Sequence, residues 1–184
     1  MLQKIHRIGE ELLRKESEPV KEINDSIKNL VKDMFETMHE ANGVGLAAPQ
    51  IGQNIRLFVI DVDNNPLVFI NPRIKKMTGK ETAEEGCLSV PGLRECVQRA
   101  TRVTAEAFDI DGHSFEIKAE GLAARAIQHE LDHLDGVLFV DRISKSRKNQ
   151  IRYKLEQLEA GKDLPEELDE VEEETQEEEV SQTA

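Results

Sequence analysis

The sequence predicts an α+β fold in which short antiparallel β-sheets pack around a central metal-binding helix, with one further helix towards each end. Three observations carry that expectation. A histidine-bearing segment around residue 130 has helical periodicity, the middle of the chain alternates β-branched runs with turn residues, and two outer segments repeat apolar residues at helical spacing. At 184 residues the chain fits a single domain with one sizeable core. Tryptophan is absent and aromatic residues are few, so Leu, Ile, Val and Ala do most of the packing.

The central run is Gln128-His129-Glu130-Leu131-Asp132-His133. On a helix His129 and His133 stand four residues apart, so both imidazoles share one face and can share a metal ion. Glu130 points round beside them, where a carboxylate can handle the protons of a water activated by that metal. Ile127, Leu131 and Leu134 form an apolar stripe roughly opposite, Gln128, Asp132 and Asp135 make a narrow polar arc, and Gly136 suits a C-terminal stop. Two imidazoles do not complete a tetrahedral site. A third protein ligand has to come from another segment.

Taken in order, residues 1–23 read as irregular. From Asp25 to Ala41 the residues Ile27, Leu30, Val31, Met34, Phe35 and Met38 fall at helical spacing, Asn24, Asp25 or Ser26 can cap the start, and Asn42-Gly43 ends the helix. Gly43 to Gly52 has two early glycines but lacks the flanking elements of a dinucleotide site and the Lys-Ser/Thr of a phosphate loop. It reads as a tight connection. Ile55–Val62 and Leu67–Ile74 read as strands around an Asp63-Asn64-Asn65-Pro66 turn, followed by a polar loop. Cys96–Asp109 and His113–Ala119 read as a second pair across Asp111-Gly112. Gly121 opens the histidine helix, and a basic segment (Arg142, Lys145, Arg147, Lys148) leads into a last helix over Lys148–Ala160.

Net charge is −13, but eleven acidic and no basic residues fall in 163–184, which leaves the rest at −2. The expected organisation is a catalytic domain over 1–162 and an acidic, disordered tail over 163–184. No basic patch with interleaved aromatics argues for nucleic-acid readout. No stretch approaches the ~20 apolar residues of a membrane span, and the N-terminus has neither a secretion signal nor a transit peptide. A cytoplasmic protein is the expectation, and in it the two cysteines, Cys87 and Cys96, are read as reduced thiols.

The third ligand follows from elimination. An HExxHxxGxxH pattern would need a histidine where Phe139 stands. Glu156 and Glu159 lie in a charged surface helix, His113 flanks an exposed turn, and His6 and His39 have no partner at telling spacing. Cys87 follows Gly86 at a strand start, whereas Cys96 sits in an alternating strand where a small buried thiol is the ordinary role. Cys87 is favoured and Cys96 remains the alternative. A Cys-His-His set with one open position is a catalytic arrangement, since structural sites are usually closed by four protein ligands.

Three segments together, GVGLAAPQ at Gly43–Gln50, EGCLS at Glu85–Ser89 and QHELDH at Gln128–His133, resemble the signature motifs of peptide deformylase in order and separation. The resemblance covers roughly residues 1–155. It implies an enzyme that removes the formyl group from the N-formylmethionine of nascent polypeptides and releases formate. Cys87, His129 and His133 would be metal ligands, a water activated by the ion would attack the formyl carbon, and Glu130 would be general base and then acid. The Gln50 amide and the Leu88 N–H would form the oxyanion hole, and Gly45 would contact the substrate backbone. The methionine side chain would lie against Val44, Gly86, Leu88, Leu122, Arg125 and His129, with Arg94 at the rim. Arg125 stands where some members carry an aliphatic residue. The resemblance further implies one divalent ion, Fe2+ natively with Zn2+ or Ni2+ able to replace it, and transient docking near the ribosome exit through the basic C-terminal segment. Two rival readings are an HExxH-type zinc endopeptidase and a non-catalytic, metal-stabilised binding protein.

Overall fold

The computed structural model describes residues 1–165, so nearly all of the expected acidic tail lies outside the described residues. Asp163 still pairs with Arg7 at 2.7 Å and Leu164 packs on the C-terminal core, so ordered packing runs past Lys162.

Helix α1 spans Asp25–Glu40, with the Asn24 side chain capping it by accepting from the Ile27 N–H. Its Val31, Met34 and Met38 are buried, as the periodicity predicts. Strand β1 (Gly45–Ala47) leads into a 3-10 turn over Ala48–Ile51. The antiparallel strands β2 (Leu57–Val62) and β3 (Asn65–Thr78) turn at Asp63-Asn64, both with positive φ, as a two-residue hairpin of primed type requires. Asn65 and Pro66 therefore belong to β3 rather than to the turn. The expected polar loop after Ile74 is also strand. β3 continues to Thr78 and β4 covers Glu81–Cys87. Both faces there are largely polar and exposed, so no apolar alternation advertises a strand, and backbone pairing holds it instead.

Strand β5 (Val90–Arg99) pairs with β4 as a separate two-stranded sheet. β6 (Arg102–Phe108) pairs with β7 (Ser114–Glu120) across the Asp109–His113 turn, so the predicted strand 96–109 is two strands broken at Ala100-Thr101. The main sheet has the order β1-β2-β3-β6-β7. Helix α2 (Gly121–Leu134) lies against it, and the C-terminal helix is two pieces, α3 (Lys145–Gln150) and α4 (Arg152–Glu159), interrupted at the buried Ile151. Residues 1–23 include a short 3-10 helix at Glu11–Arg14.

The buried strand β2 explains the sandwich. Leu57 and Val59 face α1, while Phe58 and Ile60 face α2, so an uninterrupted apolar run is covered on both sides. On β6 the inward positions Val103, Ala105 and Ala107 meet Ala124, Ala126 and Ile127 of α2, and small residues on both partners let the helix approach closely. The hairpin β4–β5 has its own core, with Val90, Leu93 and Val97 against Leu138, Phe139, Ile151, Leu155 and Leu158. Helix α2 packs its apolar face on the large sheet and is tied to the small one by ion pairs, Asp132 with Arg99 and Arg125 with Glu85. Among the described residues no helix is long and apolar enough to cross a membrane.

Candidate metal centre

Strand alternation and helical repeat converge on one point. Glu85 and Cys87 occupy alternate positions at the end of β4, and His129 and His133 stand one turn apart on α2. Cys87 Sγ lies 3.2 Å from His133 Nε2, and the ligand atoms of Cys87, His129 and His133 all fall within 4.8 Å of one another. Cys96, the alternative, is exposed. β5 runs in the opposite phase to the one expected, with Leu93, Glu95, Val97 and Arg99 inward. The charged inward residues Glu95 and Arg99 are what hid that phase from a reading by hydrophobicity.

Of the polar arc, Gln128 and Asp132 are buried and only Asp135, at the helix end, is exposed. Gln128 donates to Ala100 O and accepts from Ala100 N at 2.9 and 3.0 Å. Asp132 accepts from Arg99 Nη1 at 2.6 Å and from Arg142 Nη2 at 2.6 Å. Glu85 accepts a two-pronged hydrogen bond from Arg99, at 2.9 and 3.0 Å, and one from Arg125 at 2.7 Å. Its Oε2 sits 2.9 Å from His129 Nδ1, which turns the other ring nitrogen of His129 towards the site. Burial alone would raise the Glu85 carboxyl, but His129 and Arg99 outweigh it and hold it at about 2.

Electrostatics fit a cation. Burial disfavours charge on both imidazoles, yet the Cys87 sulfur and Glu85 lift His129 well above the usual histidine range. Burial, reinforced by the charges of His129 and Arg99, pushes His133 well below that range, so it keeps a lone pair to donate. Burial pushes the Glu130 carboxyl up to about 7, and its Oε2 has no hydrogen-bond partner among the described residues. A sulfur, two imidazoles and an unpartnered buried carboxylate around one point suit a divalent ion with a water beside it.

The site opens on a cleft of about 680 Å3. Gln50, Cys87, Leu88, His129 and Glu130 line it, and His133 lies behind them. The Gln50 side chain is fixed by Ala47 N, which donates to Oε1 at 2.8 Å, and its Nε2 donates to Ser89 Oγ at 3.1 Å and towards Cys87 Sγ at 3.6 Å. Gly45 is glycine for a steric reason: a Cβ there would run into the Glu130 carboxylate. Val44 and Leu122 stand half-exposed at the mouth, Gly86 lines the cleft, and Arg94 at the rim donates to Glu84 at 2.6 Å. Arg125 also lines the cleft but is buried, its guanidinium turned onto Glu85, Val97 O and Glu81 O.

Known proteins resemble this chain in sequence and in fold. A family model described as polypeptide deformylase matches residues 2–149. The chain belongs to the polypeptide deformylase family. It is 48% identical over 142 residues to the peptide deformylase of Dictyoglomus thermophilum, covering 77% of this chain and 93% of that one. The crystal structure of a peptide deformylase from Legionella pneumophila superposes with a TM-score of 0.81 at 46% identity, over 85% of this chain and 95% of that one. One from Synechococcus elongatus in complex with actinonin gives 0.78 at 41% identity, over 87% and 85%. Deformylases are metal-dependent hydrolases that remove N-formyl groups from peptides, and this chain is such an enzyme. The endopeptidase and scaffold readings fall with that assignment. The sequence by itself assigns no functional role to Glu85, Arg99 or Asp132. The signal for Glu85 was its i, i+2 relation to Cys87 on a strand; the others needed the fold.

Proposed function

We propose that Cys87, His129 and His133 hold one divalent ion, Fe2+ in the native enzyme with Zn2+ or Ni2+ able to replace it, and that the substrate is the N-formylmethionine of nascent polypeptides. The reading is supported by the 3.2 Å approach of Cys87 Sγ to His133 Nε2 across 46 residues of chain. When bound, the ion supplies Lewis acidity and lowers the pKa of a water towards neutral. A thiolate beside two imidazoles suits iron as well as zinc.

Glu130 takes the proton of the attacking water and returns it to the leaving amine. Its burial and unpartnered Oε2 leave it able to do both near neutral pH. The Gln50 Nε2–H and the Leu88 N–H donate to the formyl oxygen as negative charge builds there. Gly45 lets the peptide backbone approach. Val44, Gly86, Leu88, Leu122, the stem of Arg125 and the His129 ring receive the methionine side chain, with Arg94 at the rim.

Docking near the ribosome exit in the cytoplasm draws on the basic C-terminal helices. Arg147 and Lys148 already pair with Glu95 and Asp141, so Lys145 and Arg152 are the substitutions that test it. The catalytic assignment is tested by Glu130→Ala, with formate release from a formyl-Met peptide measured beside metal analysis. The variant keeps its metal and loses most turnover. Retained turnover overturns the role of Glu130.

A further inference from the structure

The buried carboxylates Glu85 and Asp132 share one arginine. Arg99 Nε and Nη2 grip Glu85 at 2.9 and 3.0 Å while its Nη1 reaches Asp132 at 2.6 Å. A guanidinium can serve both only if neither acid demands its whole fork. Glu85 has help from Arg125. Asp132 has help from Arg142, a half-exposed residue beyond α2, which donates to Oδ2 at 3.1 Å and to Oδ1 at 2.6 Å.

We propose that Arg142 is a positioning residue for His129, acting through Asp132, Arg99 and Glu85. Without Arg142 the Oδ1 of Asp132, in a side chain only 9% exposed, loses its donor. An unpaired buried carboxylate is costly, and the nearest remedy is for Arg99 to swing its fork from Glu85 onto Asp132. Glu85 would then hold the His129 Nδ1–H less firmly, and a ligand whose outer partner loosens typically loses ~10–100-fold in metal affinity or activity. The inference rests on the reading of His129 as a ligand.

The test uses the cobalt(II)-loaded full chain and follows chelator-driven loss of the cobalt absorption band. Arg142→Met should release cobalt about 10-fold faster, and Arg142→Lys should fall between it and the parent. The decisive variant is Arg142→Met with Asp132→Asn. A neutral amide does not call for a second cation, so Arg99 stays on Glu85 and cobalt release returns close to the parent rate. Arg73→Ala, an exposed arginine on β3, controls for lost surface charge. If Arg142→Met releases cobalt at the parent rate, or if the double variant is no slower than Arg142→Met, the inference is overturned. A parent protein that fails to hold one cobalt per chain instead overturns the ligand assignment.

Discussion

Cys87 Sγ lies 3.2 Å from His133 Nε2, joining the end of a β-hairpin to a helix in the opposite half of the chain. Neither element has the site alone: the sulfur comes from the small sheet and the imidazoles from a helix packed on the large one.

That approach makes the two cysteines separable. Cys87→Ser should lose its metal or show a changed coordination spectrum, whereas Cys96→Ser, altered at an exposed position, should match the parent. Metal analysis of both variants after anaerobic purification decides. Loss of metal in Cys96→Ser alone would reverse the assignment.

Gln50→Ala removes one proposed donor to the formyl oxygen, and kcat should drop ~10²–10³-fold with metal content unchanged. The buried Ala47 N–H loses its acceptor at the same time, at about 1–3 kcal/mol of stability. Steady-state kinetics and thermal melts measure the two effects separately.

Gly45→Ala tests the packing of the glycine against Glu130. The added methyl has to displace the carboxylate or the strand, so turnover should fall at least 10-fold, with about 1–3 kcal/mol of overpacking strain. Kinetics at parent-like metal loading check it. An active Gly45→Ala enzyme would mean that Glu130 moves freely.

Acid sensitivity should have a contribution from Asp141. Its partial burial would raise the carboxyl, but Lys148, the Leu138 N–H and Arg14 outweigh that and hold it below the ordinary range. A depressed folded-state value stabilises the protein above the unfolded value near 3.8, and the gain disappears as pH falls through the folded one. Asp141→Asn should therefore be less stable than the parent at pH 7, by no more than about 1 kcal/mol once solvent screening of these surface ion pairs is allowed for, with the gap closing below about pH 4. Denaturant melts at several pH values measure it.

Much of the fold was legible because its signals are local. Periodicity placed α1 and α2, and the apolar run of β2 announced a strand, which the fold then buries on both faces. The errors lie where tertiary contacts override local pattern. Strand β5 carries Glu95 and Arg99 inward, and only their partners Arg147, Glu85 and Asp132 make that face an interior. The polar stretch between Ile74 and Glu85 reads as a loop because its strands are held by backbone pairing.

By itself the sequence determined the chemistry available: two imidazoles on one helical face, a carboxylate beside them and a thiol after a glycine, since covalent spacing and helical repeat place such groups relative to their neighbours. Tertiary structure alone decided which thiol meets the imidazoles, and that Asp132 is buried in an ion network rather than bathed in water. Those are relations between segments far apart in the chain, and packing, not spacing, sets the distance between them.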